Sequence, residues 1–332
     1  MTTRRLLFAI RNPEARRQPG LAKAIQVARA LGSTLELFHA ITDSLFIELA
    51  QFQDDAMDRL RERIEAEARI PLVRLCEVAR KHGVEATSSV EWDYPPHEAV
   101  VRRATAIRAD MIIAECHQGA RTQPWLIHLT DWELLRTSSV PVLLLKNAKP
   151  YRHPLILAAV DPAHAHAKSA ELDQRILAAA TELGKGLRST LHVMHADSPS
   201  IVGMAVDTAV NRAASRWSTL SYEELMEQGR QAFETFRADV AMPRTRAHLV
   251  AGNPVTEIPR LAKKLRAGIV VMGAQSRSGL QRVFIGNTAE RVLGTLDCDV
   301  LVVKPASFAT RVARQTRGIR VVAPTTLAPM VS

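Results

Sequence analysis

The residues best placed for chemistry lie in one run, GAQSRSGLQRVFIGNT, at positions 273–288. Gly273 is expected to close a strand and permit a tight turn. Gly286 is expected to end a loop and open a helix that begins near Ala289, with Asn287 as its N-cap. The first N–H groups of a helix lack intrahelical partners and carry the positive end of its dipole. Glycine adds room for a ligand to approach the backbone. A phosphate seated against Gly286, Asn287 and Thr288 is the chemistry this spacing supports. The plainer alternative is that both glycines only turn the chain and Asn287 only caps.

Such a loop needs a scaffold, and the chain supplies one twice. Residues 109–146 align without a gap with residues 267–304, and Gln123/Gln281, Ile127/Ile285, Thr130/Thr288, Leu135/Leu293, Thr137/Thr295, Val142/Val300 and Lys146/Lys304 coincide. The match continues upstream through Pro95 and Glu98 against Pro254 and Glu257. Each copy opens on a short apolar run, Leu6–Ile10 or Leu155–Val160. Helical stretches then alternate with apolar runs near 34–39, 88–92, 111–114 and 142–145, and near 190–195, 246–250, 269–272 and 300–303. Strands that alternate with helices and read as continuous apolar runs indicate a parallel sheet covered on both faces. With right-handed crossovers, each copy becomes a doubly wound α/β domain. The expected division is residues 1–149, residues 150–306 and a basic tail, 307–332, without regular structure. A proline-bearing linker lies near Asn147–Pro154.

The run at 273–288 resembles the phosphate loop of the universal stress protein family, whose ATP-binding members carry G-x2-G-x9-G-[ST]. Gly273 and Gly286 match the first and third glycines, Ser276 stands at the second, and Asn287 replaces the Ser or Thr. The resemblance covers both copies. With 286–290 and 130–136 it points to the family's tandem subgroup, of adenine nucleotide alpha hydrolase-like architecture. It implies a nucleotide, ATP or a related one, lying across the C-terminal edge of the second sheet. On that reading Asp161 would hold the ribose or adenine, and Val193 or Met194 would contact the base. Read from the residues alone, Asp161 with Pro162 starts a turn or caps the next helix, and Val193 is plain core. Ser276 places a Cβ where the family has none, so an apolar or sugar-containing ligand in a reshaped groove is the alternative.

The first copy departs further. Glu115 stands where Gly273 does, His128 where Gly286 does and Leu129 where Asn287 does, while Arg11 or Asn12 stands where Asp161 does. A carboxylate in a phosphate cradle is a like-charge contact, so this copy is expected to bind no ATP in the family manner. Glu115, Cys116, His117 and His128 lack zinc-site spacing, and no metal is expected. His164, His166, His192 and His195 read as turn and strand residues.

The chain of 332 residues has 47% hydrophobic and 23% charged residues, which suits two globular domains. No apolar run is long enough to cross a membrane, and Leu6–Ile10 is too short for a signal peptide. Three scattered cysteines, Cys76, Cys116 and Cys298, suggest a reducing, cytoplasmic compartment. The net charge of +10 owes four units to Arg311, Arg314, Arg317 and Arg320. Nothing acidic follows Asp299, so a nucleic-acid role would rest mainly on the tail. The apolar final strands at 142–145 and 300–303 would cover each other as an intra-chain pseudo-dimer, and further self-association remains open. The resemblance implies a non-enzymatic ligand-binding protein of stress resistance with unknown protein partners. A weak ATP hydrolase is the alternative; Arg277 and Arg282 lie near the loop, but no Walker lysine and no base is evident.

Overall fold

A computed structural model describes residues 3–42, 45–46, 54–115, 124–162, 170–197, 222–274, 287–316 and 321–322. The chain forms two compact units. One comprises residues 1–142, 148–150 and 310–332, and the other 143–147 and 151–309.

In the first unit the strands are β1 (Arg5–Ala9), β2 (Thr34–Ile41), β4 (Ala86–Trp92) and β5 (Met111–Glu115). Their order is β4-β2-β1-β5, and every pair is parallel. Leu6, Leu7, Phe8, Leu35, Leu37, Phe38, Ile112 and Ile113 are fully buried, as a sheet covered on both faces requires. The helices are α1 (Pro19–Leu31), α2 (Asp54–Lys81), α3 (Pro96–Ala106) and α4 (Pro124–Thr137). α1 ends at Gly32, whose φ of 60° is left-handed. Ser33 N then returns to Ala28 O, satisfying a terminal carbonyl that the helix leaves open.

α2 runs as one helix across Pro71. Leu72, Cys76 and Ala79 are buried on its inner face, and that packing outweighs the missing donor. The tail also carries structure: β12 (Val321–Val322) pairs in parallel with β3 (Leu45–Phe46), and Arg102 Nε donates to Ala313 O at 2.9 Å.

In the second unit the order is β11 (Asp299–Val303), β10 (Ala267–Gly273), β7 (Leu155–Ala159), β8 (Thr190–Asp197), β9 (Ala247–Ala251). All four pairings are parallel. α5 (Ala170–Leu187) buries Leu172, Ile176, Ala180 and Leu183, and α7 (Pro254–Leu265) buries Ile258 and Leu261. α6 spans Tyr222–Asp239 and α8 spans Asn287–Thr295.

The end of β6 (Val142–Leu145) and the start of the linker belong to this unit. Asp299 holds them. Its fully buried carboxylate accepts from Lys146 N at 2.8 Å, from Asn147 and from Tyr151 OH at 2.5 Å. Burial, and then the negative charge of Asp299, raise the Tyr151 phenol well above its ordinary pKa.

Candidate functional site

Parallel sheets of this kind bind ligands beyond the carboxyl ends of their strands. In the second unit that edge is formed by the ends of β7, β8 and β10 together with the first turn of α5. Asp161 follows β7 by two residues and is 5% exposed. Its backbone N–H donates to Asp173 Oδ1 at 3.0 Å, so the first turn of α5 fixes the chain at this point. Both carboxylate oxygens of Asp161 are buried and have no hydrogen-bond partner among the described residues. An unmet buried acceptor costs about 1–3 kcal/mol, more when charged, and such a group calls for an explanation.

His195 and Asp197 project from β8 on the same face as Val193, because side chains alternate along a strand. His195 is 2% exposed; its Nδ1 lies 3.2 Å from Val160 O and 3.8 Å from Asp161 Oδ1, and its Nε2 is buried without a hydrogen-bond partner among the described residues. Phe233 of α6 stacks on the ring at a centroid distance of 6.2 Å. Asp197 Oδ2 is also buried and has no hydrogen-bond partner among the described residues. It faces Gly229 of α6 so closely that a side chain there would collide with it. Burial raises the Asp197 pKa; His195 opposes the rise and Asp161 adds to it.

The structure relocates the reason for Gly273. Its φ is not among the positive values found at Gly32, Gly83 and Gly252, so no left-handed turn needs it. A Cβ at Gly273 would instead lie 2.8 Å from Leu172 Cδ2 and 3.0 Å from Ile176 Cδ1. The glycine lets α5 pack against the end of β10. Val193 is buried in the middle of β8, between Ala158 and Ala247, and Met194 O accepts from Val160 N at 3.0 Å. Asn287 and Thr288 lie in α8. Ser276 and Gly286 lie outside the described residues, as do Cys116, His117, His164 and His166.

The first unit fills its equivalent edge from within. Glu115 Oε1 accepts from Gly20 N at 2.9 Å, which places the carboxylate at the N-terminus of α1. His128 and Leu129 are the fifth and sixth residues of α4. That is beyond the first four, whose N–H groups a helix leaves free. Asn12 Oδ1 is turned to its own loop, accepting from Glu14 N at 3.0 Å. His39 Nδ1 lies 2.8 Å from Ile10 O, which repeats the contact of His195 with Val160.

The grouping of Asp173, His195 and Asp197 around Asp161 escaped sequence reasoning, because two strands and a helix bring the four together. The signals present were an acid in the first turn of a helix and two polar residues ending an apolar strand. His192, on the opposite face of β8, instead stacks on His248, with ring nitrogens 2.8 Å apart. Burial lowers the pKa of both rings, assisted by Arg246 at His192 and by Lys264 at His248. Among the described residues no cluster of three or more such side chains could hold a metal ion, and no helix is long and apolar enough to cross a membrane.

A model of the Universal stress protein family matches residues 2–146 and again residues 155–304. Universal stress protein E of Escherichia coli K12 is 25% identical over 307 residues, spanning 92% of this chain and 96% of the relative. The Photorhabdus laumondii protein of the same name is 23% identical over 304 residues, 91% of this chain and 95% of its own. Among solved structures, a functionally unknown protein from Pseudomonas aeruginosa PAO1 superposes with a TM-score of 0.65 at 26% identity, covering 92% of this chain and 93% of that one.

Proposed function

Because the chain belongs to the universal stress protein family, we propose that its second unit binds a nucleotide or a related ligand and that the protein supports stress resistance through that binding. The observation that carries this reading is Asp161, whose two buried oxygens accept no hydrogen bond among the described residues. An acceptor in that state is suited to a ligand that brings its own donors. Asp161, with Val193 on β8 and Gly273 at the end of β10, forms the inner part of the proposed site. Ser276, Gly286, Asn287 and Thr288 are its proposed phosphate side. The first unit, with Glu115 already at the N-terminus of α1, serves as a structural copy.

Isothermal titration of the full chain with ATP tests the reading. One site per chain is expected, and Asp161→Ala is expected to weaken it at least about tenfold, the loss of one charged hydrogen-bonding group. Phosphate release measured in parallel decides the hydrolase alternative. Absence of heat with ATP, together with native mass spectrometry showing no co-purified ligand, would overturn the proposal.

A further inference from the structure

We propose that the N-terminal edge of the second unit's sheet is a binding surface for the phosphate backbone of a nucleic-acid duplex, taken without regard to base sequence. This edge lies at the opposite ends of the strands from Asp161, so the surface is independent of the nucleotide reading above.

The strands of this sheet run parallel, so the segments that lead into them meet along one edge. Ala267 of β10 pairs with Leu155 of β7, Leu155 with Thr190 of β8, and Val193 of β8 with Ala247 of β9. That register sets Arg266 at the entry of β10, Arg152 ahead of β7 and Arg188 ahead of β8. Arg244 and Arg246 enter β9 from a 3₁₀ turn. His153 Nδ1 lies 3.3 Å from Arg188 O, which joins the entries of β7 and β8 directly. All five arginines are exposed. Four neighbouring strands, each about 4.8 Å from the next, spread this row over about 14 Å. Its members are scattered from 152 to 266 in the sequence, so no run of charge marks it.

Helix dipoles account for only part of the charge at this edge. Lys185, Lys263 and Lys264 stand in the last turns of α5 and α7, where a cation offsets the open carbonyls. The arginines lie outside the helices. Arg188 and Arg266 follow α5 and α7 directly, with φ of 52° and 53°. Glycine is the relaxed residue in that left-handed place, and a side chain there is strained. A cation held against that preference is explained by a partner outside the chain. The unit's own acids do not take up the row. Arg244 lies 3.6 Å from Glu234, which Arg237 already engages at 2.8 Å, and among the described residues no ion pair holds Arg152, Arg188, Arg246 or Arg266. Asp239 at the end of α6 and Asp297 ahead of β11 are the exposed acids beside these entries. A guanidinium takes phosphate through two parallel hydrogen bonds. Among the described residues the exposed large apolar side chains of this unit come down to Leu249. The edge therefore offers no aromatic platform for the bases of a single strand and no apolar cluster for insertion into a membrane. A duplex backbone, with one negative charge per about 1.7 Å of axis, needs neither.

Fluorescence anisotropy of the full chain with a labelled DNA duplex, repeated over a series of salt concentrations, tests the surface. Four phosphate contacts give a slope of log K against log salt of about −3.6, equal for two duplexes of unrelated sequence. Arg188→Gln combined with Arg246→Gln is expected to weaken binding about tenfold and to make the slope shallower by about 2. Changing Arg311, Arg314, Arg317 and Arg320 to Gln is expected to keep the affinity within about threefold. Asp161→Ala is expected to bind the duplex as the wild type does, which separates this surface from the nucleotide site. Acetylation footprinting of the wild-type chain reads the same surface without a variant: Lys263 and Lys264 are expected to react more slowly when the duplex is present. No duplex binding, binding that follows the tail substitutions and not the edge pair, or binding with Lys263 and Lys264 unshielded would overturn the proposal. Preference for a polyglutamate peptide or for phosphatidylserine vesicles over the duplex would give the row to an acidic protein or a membrane and overturn it as well.

Discussion

In the first unit the carboxylate of Glu115 accepts a hydrogen bond from the backbone N–H of Gly20 at 2.9 Å. The strand end that carries Gly273 in the second copy here carries an internal anion. It neutralises the start of α1, whose first turn holds no acid and whose N-cap residue, Gln18, makes no side-chain cap. Glu115→Ala is therefore expected to cost about 0.5–2 kcal/mol, the range for losing a helix cap with its charge. Chemical denaturation checks this, and an unchanged midpoint would mean the contact is idle. The same variant is expected to gain no ATP site in the first unit, because His128 and Leu129 already lie within α4.

The strands and the doubling were legible from sequence because they rest on local patterns. Runs such as Leu6–Ile10 and its partner at 155–160 are apolar throughout, and parallel strands covered on both faces must be so. The site was legible only in part. Asp161 could be placed by resemblance, but its neighbours Asp173, His195 and Asp197 come from α5 and β8, and no spacing along the chain brings them together. Gly273 shows the opposite difficulty. Its position fitted a phosphate-loop pattern, while the space it leaves is filled by Leu172 and Ile176. A motif reports which residue stands at a position, not which neighbour requires it.

That neighbour gives a second prediction. Gly273→Ala places a methyl group within 3.0 Å of two buried side chains, so it is expected to destabilise the second unit by about 1–3 kcal/mol through overpacking. Leu172→Ala in the same chain should recover part of the loss. A double-mutant cycle measures the coupling between the two sites. A fully additive pair would place the cost of the alanine elsewhere.

Asp197 yields a prediction in pH. Burial first, and then the charge of Asp161, raise its folded-state pKa above the usual 3.8, while His195 opposes the shift. A raised acid binds its proton more tightly in the folded chain than in the unfolded one. Its contribution to stability is therefore complete below the ordinary value and is lost as pH climbs through the raised one. Asp197→Asn removes that titration. The variant's unfolding free energy is expected to fall less than that of the wild type as pH rises from 3.8 upward. Parallel curves for the two proteins would contradict the assignment.

The tail supplies the fourth. Arg102 is 8% exposed; it donates to the fully buried Asp93, lies 3.7 Å from Glu98 and spends its Nε on Ala313 O. Removing residues 310–332 strips that last acceptor and the β12 strand that pairs with Leu45–Phe46. Leaving a buried charged donor unmet costs about 1–3 kcal/mol, and the loss should be local. Hydrogen exchange is expected to speed up in the peptides spanning Asp93 and α3, with those from β7 and β10 unchanged. Arg102→Ala in the full chain should cost more, about 3–5 kcal/mol, because it removes the buried cation that pairs with Asp93 and lies beside Glu98. If truncation leaves exchange at α3 untouched while Arg102→Ala destabilises, the guanidinium is held by its acids alone and the tail does not clasp it in solution.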